Sequence, residues 1–101
     1  MAEHRSHAEI PFEHPSLPGH FPGRPVVPAV VLMDRVLEAV HHWQGPHWRL
    51  QRMHAVKFLH PLLPGQTFEI ALTLVGTRLD FRCEREDRLL AQGGWELAAG
   101  P

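Results

Sequence analysis

The sequence predicts an α+β domain, one helix laid across an antiparallel sheet, and three observations predict it. A single run, AVVLMDRVLEAVHHW after Pro28, is free of proline and glycine until Gly45. Beyond Gly45–Pro46 the spacing of apolar residues changes to strict alternation, the period of a strand. The alternating segments then follow one another through short polar or glycine-containing turns, so neighbours pair as hairpins rather than through helical crossovers.

The elements follow in order. Met1 to Glu9 is polar and histidine-bearing and reads as a flexible lead-in, and Ile10 to His14 as a short edge strand. Between Pro15 and Pro28 the run HPSLPGHFPGRPVVP holds no regular element. Each proline removes a donor and pushes its predecessor out of the helical region, and Gly19 and Gly23 permit tight turns. Pro28 suits the first turn of the helix. The first helical turns, Ala29 to Met33, are apolar on every side, which predicts a buried helix; Arg35 and Glu38 bring its later turns towards solvent. Trp48 to Phe58 reads as a strand, and Pro61 to Gly65 as a break. Phe68, Ile70, Leu72 and Leu74 mark the next strand, and Leu79, Phe81 and Cys83 another. Glu84 to Asp87 makes a polar turn before a last strand from Arg88 to Leu97, with residues 98–101 as a flexible tail. One domain, 1–101, is expected. A sheet of four or five strands wrapped on one helix leaves an edge and a face to cover, which predicts a dimer.

Composition narrows the function classes. Ten Lys and Arg against eleven Asp and Glu leave a formal charge of −1, which does not describe a general nucleic-acid binder. No apolar run reaches the ~18 residues of a membrane span, and the start has no signal-peptide pattern. The one cysteine, Cys83, excludes an intramolecular disulfide and a multi-cysteine zinc site. A cytoplasmic location is expected. Nine histidines show no metal-ligand spacing backed by carboxylates, so no metal site is expected.

Two residues carry the chemistry. Asp34 interrupts an apolar helix, and a desolvated carboxylate there holds its proton more tightly, as a general acid needs. Pairing with Arg35 or Arg24, or an exposed position, is the structural alternative. His20 lies in GHFPG, in the loop that leads into that helix, and an imidazole can serve as a base towards a weakly acidic C–H. Its alternative is a ring that merely bonds a loop carbonyl. The free N–H groups at the helix start, Ala29 and Val30, could polarise a carbonyl. Base, acid and oxyanion site together fit proton abstraction next to a carbonyl with loss of water.

The stretch GHFPGRPVVPAVVLMD resembles the signature of the FabA/FabZ-type 3-hydroxyacyl-acyl-carrier-protein dehydratases, GHFPxxPxMPGxxxxE or D, with His20 and Asp34 at the family's spacing. VKFLHPLLPGQTFEI, Val56 to Ile70, is similar to the family's VKFxxPVxPGDxL segment. In its compactness the chain looks most like the small dehydratases of aryl-polyene pigment clusters. The resemblance implies a hotdog fold and a dimer, homodimeric or formed with a sister hotdog chain, whose site joins His20 of one subunit to Asp34 of the other. It implies a 3-hydroxyacyl substrate on the phosphopantetheine arm of acyl carrier protein, with no cofactor or metal. His20 would take the C2 proton, Asp34 would protonate the departing hydroxyl, and the Ala29 N–H would hold the thioester oxygen, with Phe21, Gly23 and Val30 lining the substrate site. The sequence departs from the pattern at Ala29, where the family has Gly, and at Gln66, where it has Asp.

Two other readings stand beside this one: a hotdog acyl thioesterase, and a non-catalytic acyl-binding subunit of a heterodimer. An acidic carrier protein needs a basic docking face. Arg24, Arg49, Arg52 and Lys57 are its first candidates, followed by Arg78, Arg82 and Arg88.

Overall fold

The computed structural model describes residues 1–11 and 26–100. Six elements follow one another: β1 (Ala2–Glu9), α1 (Ala29–Gln44), β2 (Trp48–Phe58), β3 (Thr67–Val75), β4 (Arg78–Arg85) and β5 (Arg88–Ala99). The strands form one antiparallel sheet in the order β1-β3-β4-β5-β2. One face wraps α1, as the α+β hotdog reading expects.

Alternation builds the core. Phe68, Ile70, Leu72 and Leu74 on β3, Leu79, Phe81 and Cys83 on β4, and Leu90, Ala91, Trp95 and Leu97 on β5 are buried. They meet Val31, Leu32, Met33, Val36 and Val40 of the helix. Phe81 and Trp95 are tilted rings 5.4 Å apart at the centre of that layer. Each hairpin closes through turn chemistry that its residues permit. Gly76 takes φ +60° between β3 and β4, while Glu86 and Asp87, at +48° and +61°, form the two-residue link between β4 and β5. Two successive left-handed residues match the strand twist, and Asp tolerates that region.

Four expectations are corrected. The polar lead-in is strand β1, paired with β3 from Ala2↔Leu74 to Glu9↔Thr67. Its expected flexibility is replaced by a full ladder. The short strand expected over Ile10 to His14 is not formed at its start: Ile10 is fully buried but lies past the end of β1, and residues 12–14 fall outside the described ones. Ala98 and Ala99, placed in a flexible tail, belong to β5 and pair with Arg49 and Trp48. Pro28 stands at the N-cap, one residue ahead of the expected first turn.

β2 is irregular where it crosses Gly93. Its register with β5 shifts between His54 and Lys57, and Ala55 there has φ +49°. A side chain on Gly93 would come within 2.9 Å of the Val56 backbone and 2.8 Å of its Cγ2. Backbone cannot yield as a flexible side chain can, so Gly93→Ala is expected to destabilise the fold by about 1–3 kcal/mol through overpacking. Chemical denaturation would register this as a lower midpoint with an unchanged slope.

Candidate functional site

The helix start is the centre of the site. Pro28 has no N–H and no capping side chain, and its carbonyl accepts from Val31 (3.0 Å) and Leu32 (3.3 Å). The N–H groups of Ala29 and Val30 therefore point out of the first turn with no acceptor among the described residues. Donors of this kind, at the positive end of the helix dipole, suit a carbonyl oxygen that gains negative charge. Ala29 is exposed, and Val30 is 65% exposed.

An apolar groove of about 230 Å³ opens beside these donors, lined by Val26, Val27, Ala29 and Leu32 on one side and by Phe58 to Leu62 on the other. Phe58 and Leu59 are about half exposed. Of these lining residues Ala29 was singled out as a site residue from the sequence, and the others were not. The signal was present: strict alternation ends at Phe58-Leu59, where two large apolar side chains follow in succession without a buried face for both.

The segment that follows β2 is held firmly. Leu59 N donates to Leu90 O (2.8 Å), and His60 Nδ1 lies 2.9 Å from Leu89 O. At Leu63 to Gln66 the chain turns through Pro64 and Gly65, whose φ of +83° fits the third position of a type II turn. Gln66 Oε1 accepts the Leu63 N–H at 3.0 Å. A carboxylate oxygen in that place would accept in the same way, which accounts for Gln66 where the resembled family has Asp.

The same turn anchors the proline-rich loop. Gly65 N donates to Ile10 O and Val27 N donates to Leu62 O, both at 2.8 Å. The chain thus leaves and returns next to one turn, beside the helix start. His20, Phe21, Gly23 and Arg24 fall between these two anchors in the sequence and lie outside the described residues.

Asp34 is placed differently from its expectation. It is exposed on α1, one turn beyond Val30, and it has no ion pair or hydrogen bond among the described residues. Arg35, the neighbour considered as a structural partner, is engaged with Glu38 at 3.3 Å. The helix is not buried on every side: Ala29, Val30 and Asp34 share an uncovered strip. Apolar cover over Asp34 is not supplied by this chain's own core.

The other candidates for chemistry separate from this site. Burial, and then the charge of Glu84, pushes the Cys83 thiol up to about 12, so it stays protonated and is no nucleophile. Several histidines have structural contacts. His4 stacks on Trp43 with centroids 5.3 Å apart, and His41 Nε2 lies 2.8 Å from Trp48 O. No group of three or more His, Cys, Asp or Glu among the described residues is arranged to hold a metal.

Comparison with known proteins identifies the family. Residues 2–94 match the family model described as ApeI-like, ApeI dehydratase. The chain is 28% identical over 102 residues to the 3-hydroxyacyl-acyl-carrier-protein dehydratase FabZ of Ehrlichia ruminantium, covering 88% of this chain and 70% of that protein. It is 32% identical over 81 residues to the FabZ of Thermus thermophilus, covering 72% of this chain and 54% of that protein. The chain therefore spans between about half and seven-tenths of these relatives. Among solved structures, a chain of the dehydratase heterocomplex ApeI:P from Xenorhabdus doucetiae matches with a TM-score of 0.85 at 28% identity, over 95% of this chain and 87% of that one. A fluoroacetyl-CoA-specific thioesterase matches with a TM-score of 0.65 at 15% identity, over 96% of this chain and 84% of that one. That likeness shows the fold alone.

Proposed function

Because the chain belongs to the ApeI-like dehydratase family, a hotdog family of FabA/FabZ type, we propose that it removes water from a 3-hydroxyacyl thioester carried on acyl carrier protein. The product is the trans-2-enoyl thioester, in fatty-acid-like or aryl-polyene synthesis. The observation that carries this reading is the helix start, where Ala29, whose N–H like that of Val30 has no acceptor among the described residues, lines an apolar groove together with Val27 and Leu62, one of the two anchors of the segment that bears His20.

The chemistry follows from acid–base elimination. The thioester oxygen accepts from the Ala29 N–H, which makes the C2 proton more acidic. The His20 imidazole takes that proton. As the C2–C3 double bond forms, the C3–O bond breaks and Asp34 delivers a proton, so the hydroxyl leaves as water. His20 then returns its proton to Asp34 through solvent, and the enzyme is restored. No electrons are exchanged with a cofactor, and the pantetheine arm arrives with the substrate. The groove along Phe58 to Leu62 suits that narrow arm, whose methylene and gem-dimethyl groups pack on its apolar walls.

Asp34 works here from the uncovered strip of the helix, so it serves a site completed by a second hotdog chain. That chain supplies the cover that Asp34 lacks in its own subunit. The Xenorhabdus structure is a complex of two dehydratase chains, which supports pairing as the working form. Among the described residues no helix is long and apolar enough to cross a membrane, as a partner for carrier protein needs no span.

The deciding measurement supplies the isolated assembly with a 3-hydroxyacyl thioester and follows enoyl product and free thiol together. Enoyl product without thiol is expected. Thiol without enoyl product would identify a thioesterase, and neither product would identify an acyl-binding subunit; each result overturns the reading.

A further inference from the structure

The groove beside the helix start has one polar side chain among its described lining residues, that of His60. The backbone donors of this wall are largely spent. Leu59 N donates to Leu90 O at 2.8 Å, His60 N to the same oxygen at 3.3 Å, and Val27 N to Leu62 O at 2.8 Å, while Pro61 has no N–H. Beyond the Ala29 N–H, an entering molecule meets apolar surface and one imidazole. Few polar groups in an apolar pocket are what fixes a ligand's orientation.

That imidazole is held in one tautomer. Its Nδ1 lies 2.9 Å from Leu89 O. A carbonyl oxygen only accepts, so Nδ1 carries the hydrogen, and in the neutral ring Nε2 keeps a lone pair. Nε2 has no hydrogen-bond partner among the described residues. The ring is tied to β5 through Leu89, and its own backbone through Leu90, so this acceptor is fixed on the sheet rather than left to swing.

An acceptor in such a place selects a donor. A purely apolar guest would displace water from Nε2 and leave the nitrogen unpaired, at a loss of affinity. The pantetheine arm carries an amide joined to its sulfur by a single ethylene link. With the thioester oxygen on the Ala29 N–H, that amide is the first polar group of the arm to enter the groove. Its N–H likewise loses water there and needs an acceptor.

We propose that His60 is a binding residue for the arm, its Nε2 accepting the N–H of the amide nearest the sulfur. This rests on the dehydratase reading for the identity of the arm, and adds a preference for amide-bearing thioesters over plain alkyl ones.

Two side chains separate this role from that of a clip on the wall. In His60→Asn the amide nitrogen reaches Leu89 O as Nδ1 does, and nothing stands in the place of Nε2. In His60→Gln a polar group reaches the place of Nε2 and the clip is given up. The probes are the N-acetylcysteamine and S-pentyl thioesters of one 3-hydroxyacyl group, which match in length and differ in the amide. The ratio of their kcat/KM values, amide over alkyl, is expected to fall at least about fivefold in His60→Asn, through KM rather than kcat, and to be retained better in His60→Gln. An unchanged ratio in His60→Asn overturns the proposal, whether both rates persist or both fall together, the second being the mark of a clip alone. Circular dichroism checks each variant's fold; should His60→Asn fail to fold, His60→Leu takes its place under the same comparison. A wild type that forms no enoyl product from either thioester overturns the dehydratase reading instead. Calorimetric dissociation constants for the same, unconverted thioesters then decide the role of His60 by the same ratio.

Discussion

His20→Ala is expected to lower dehydration by about two to four orders of magnitude, the worth of a positioned general base, with no change in the stability of the fold. The second half of this expectation comes from the anchors of the loop. Ile10 and Val27 are tied to Gly65 and Leu62 through backbone groups, and the buried core lies on α1 and β3 to β5 with contributions from Ile10, Val27 and Leu62. None of these attachments uses an imidazole. The comparison is turnover per folded molecule in the working assembly, beside a denaturation curve. Near-wild-type turnover would remove His20 from the mechanism and send the search for the base elsewhere.

Asp34→Asn has an equally large expected effect on rate, again about two to four orders of magnitude, because an amide cannot protonate the leaving hydroxyl. Its effect on the isolated chain's stability is expected to stay within about 0.5 kcal/mol, the usual range for surface positions. A desolvated Asp34 would instead have let the Asn variant gain stability by losing a buried charge. Asp34 is exposed in its own chain and meets no arginine among the described residues, so little in the subunit depends on its charge. A sharp fall in stability with an unchanged rate per folded molecule would show Asp34 to be structural.

The contrast between α1 and β1 shows what the sequence could convey. Strands β3 and β4 were legible because each buries one side chain in two, and Phe68, Ile70, Leu72 and Leu74 print that rhythm without interruption. β1 buries almost nothing. Its half-covered positions are His4, Ser6 and Ala8, small or polar groups in which hydrophobic alternation cannot be seen, and its ladder consists of backbone bonds that any sequence can make. The helix misled in the opposite sense. Ala29 and Val30 are apolar, and apolarity implies cover without saying whose. A sequence records that a surface avoids water, but it does not separate a chain's own core from a surface kept for another chain. The motif spacing of His20 and Asp34 was fully visible, whereas the groove along Phe58 to Leu62 required the fold, because its two walls come from segments separated by the helix and β2.

The two latches of the proline-rich loop carry a consequence for how such a protein diversifies. Each latch joins a main-chain amide to a main-chain carbonyl, Gly65 to Ile10 and Val27 to Leu62, so neither is lost when a side chain changes. The residues between them can be exchanged, lengthened or shortened while the points of attachment stay put, since each doubling of a loop adds only about 0.6 kcal/mol of closure entropy. The stretch between the latches holds His20, the base of the proposed mechanism, and rewriting it leaves both latches in place. Descendants can acquire a new substrate, or a new reaction, by rewriting that one stretch, without renegotiating the packing of the sheet.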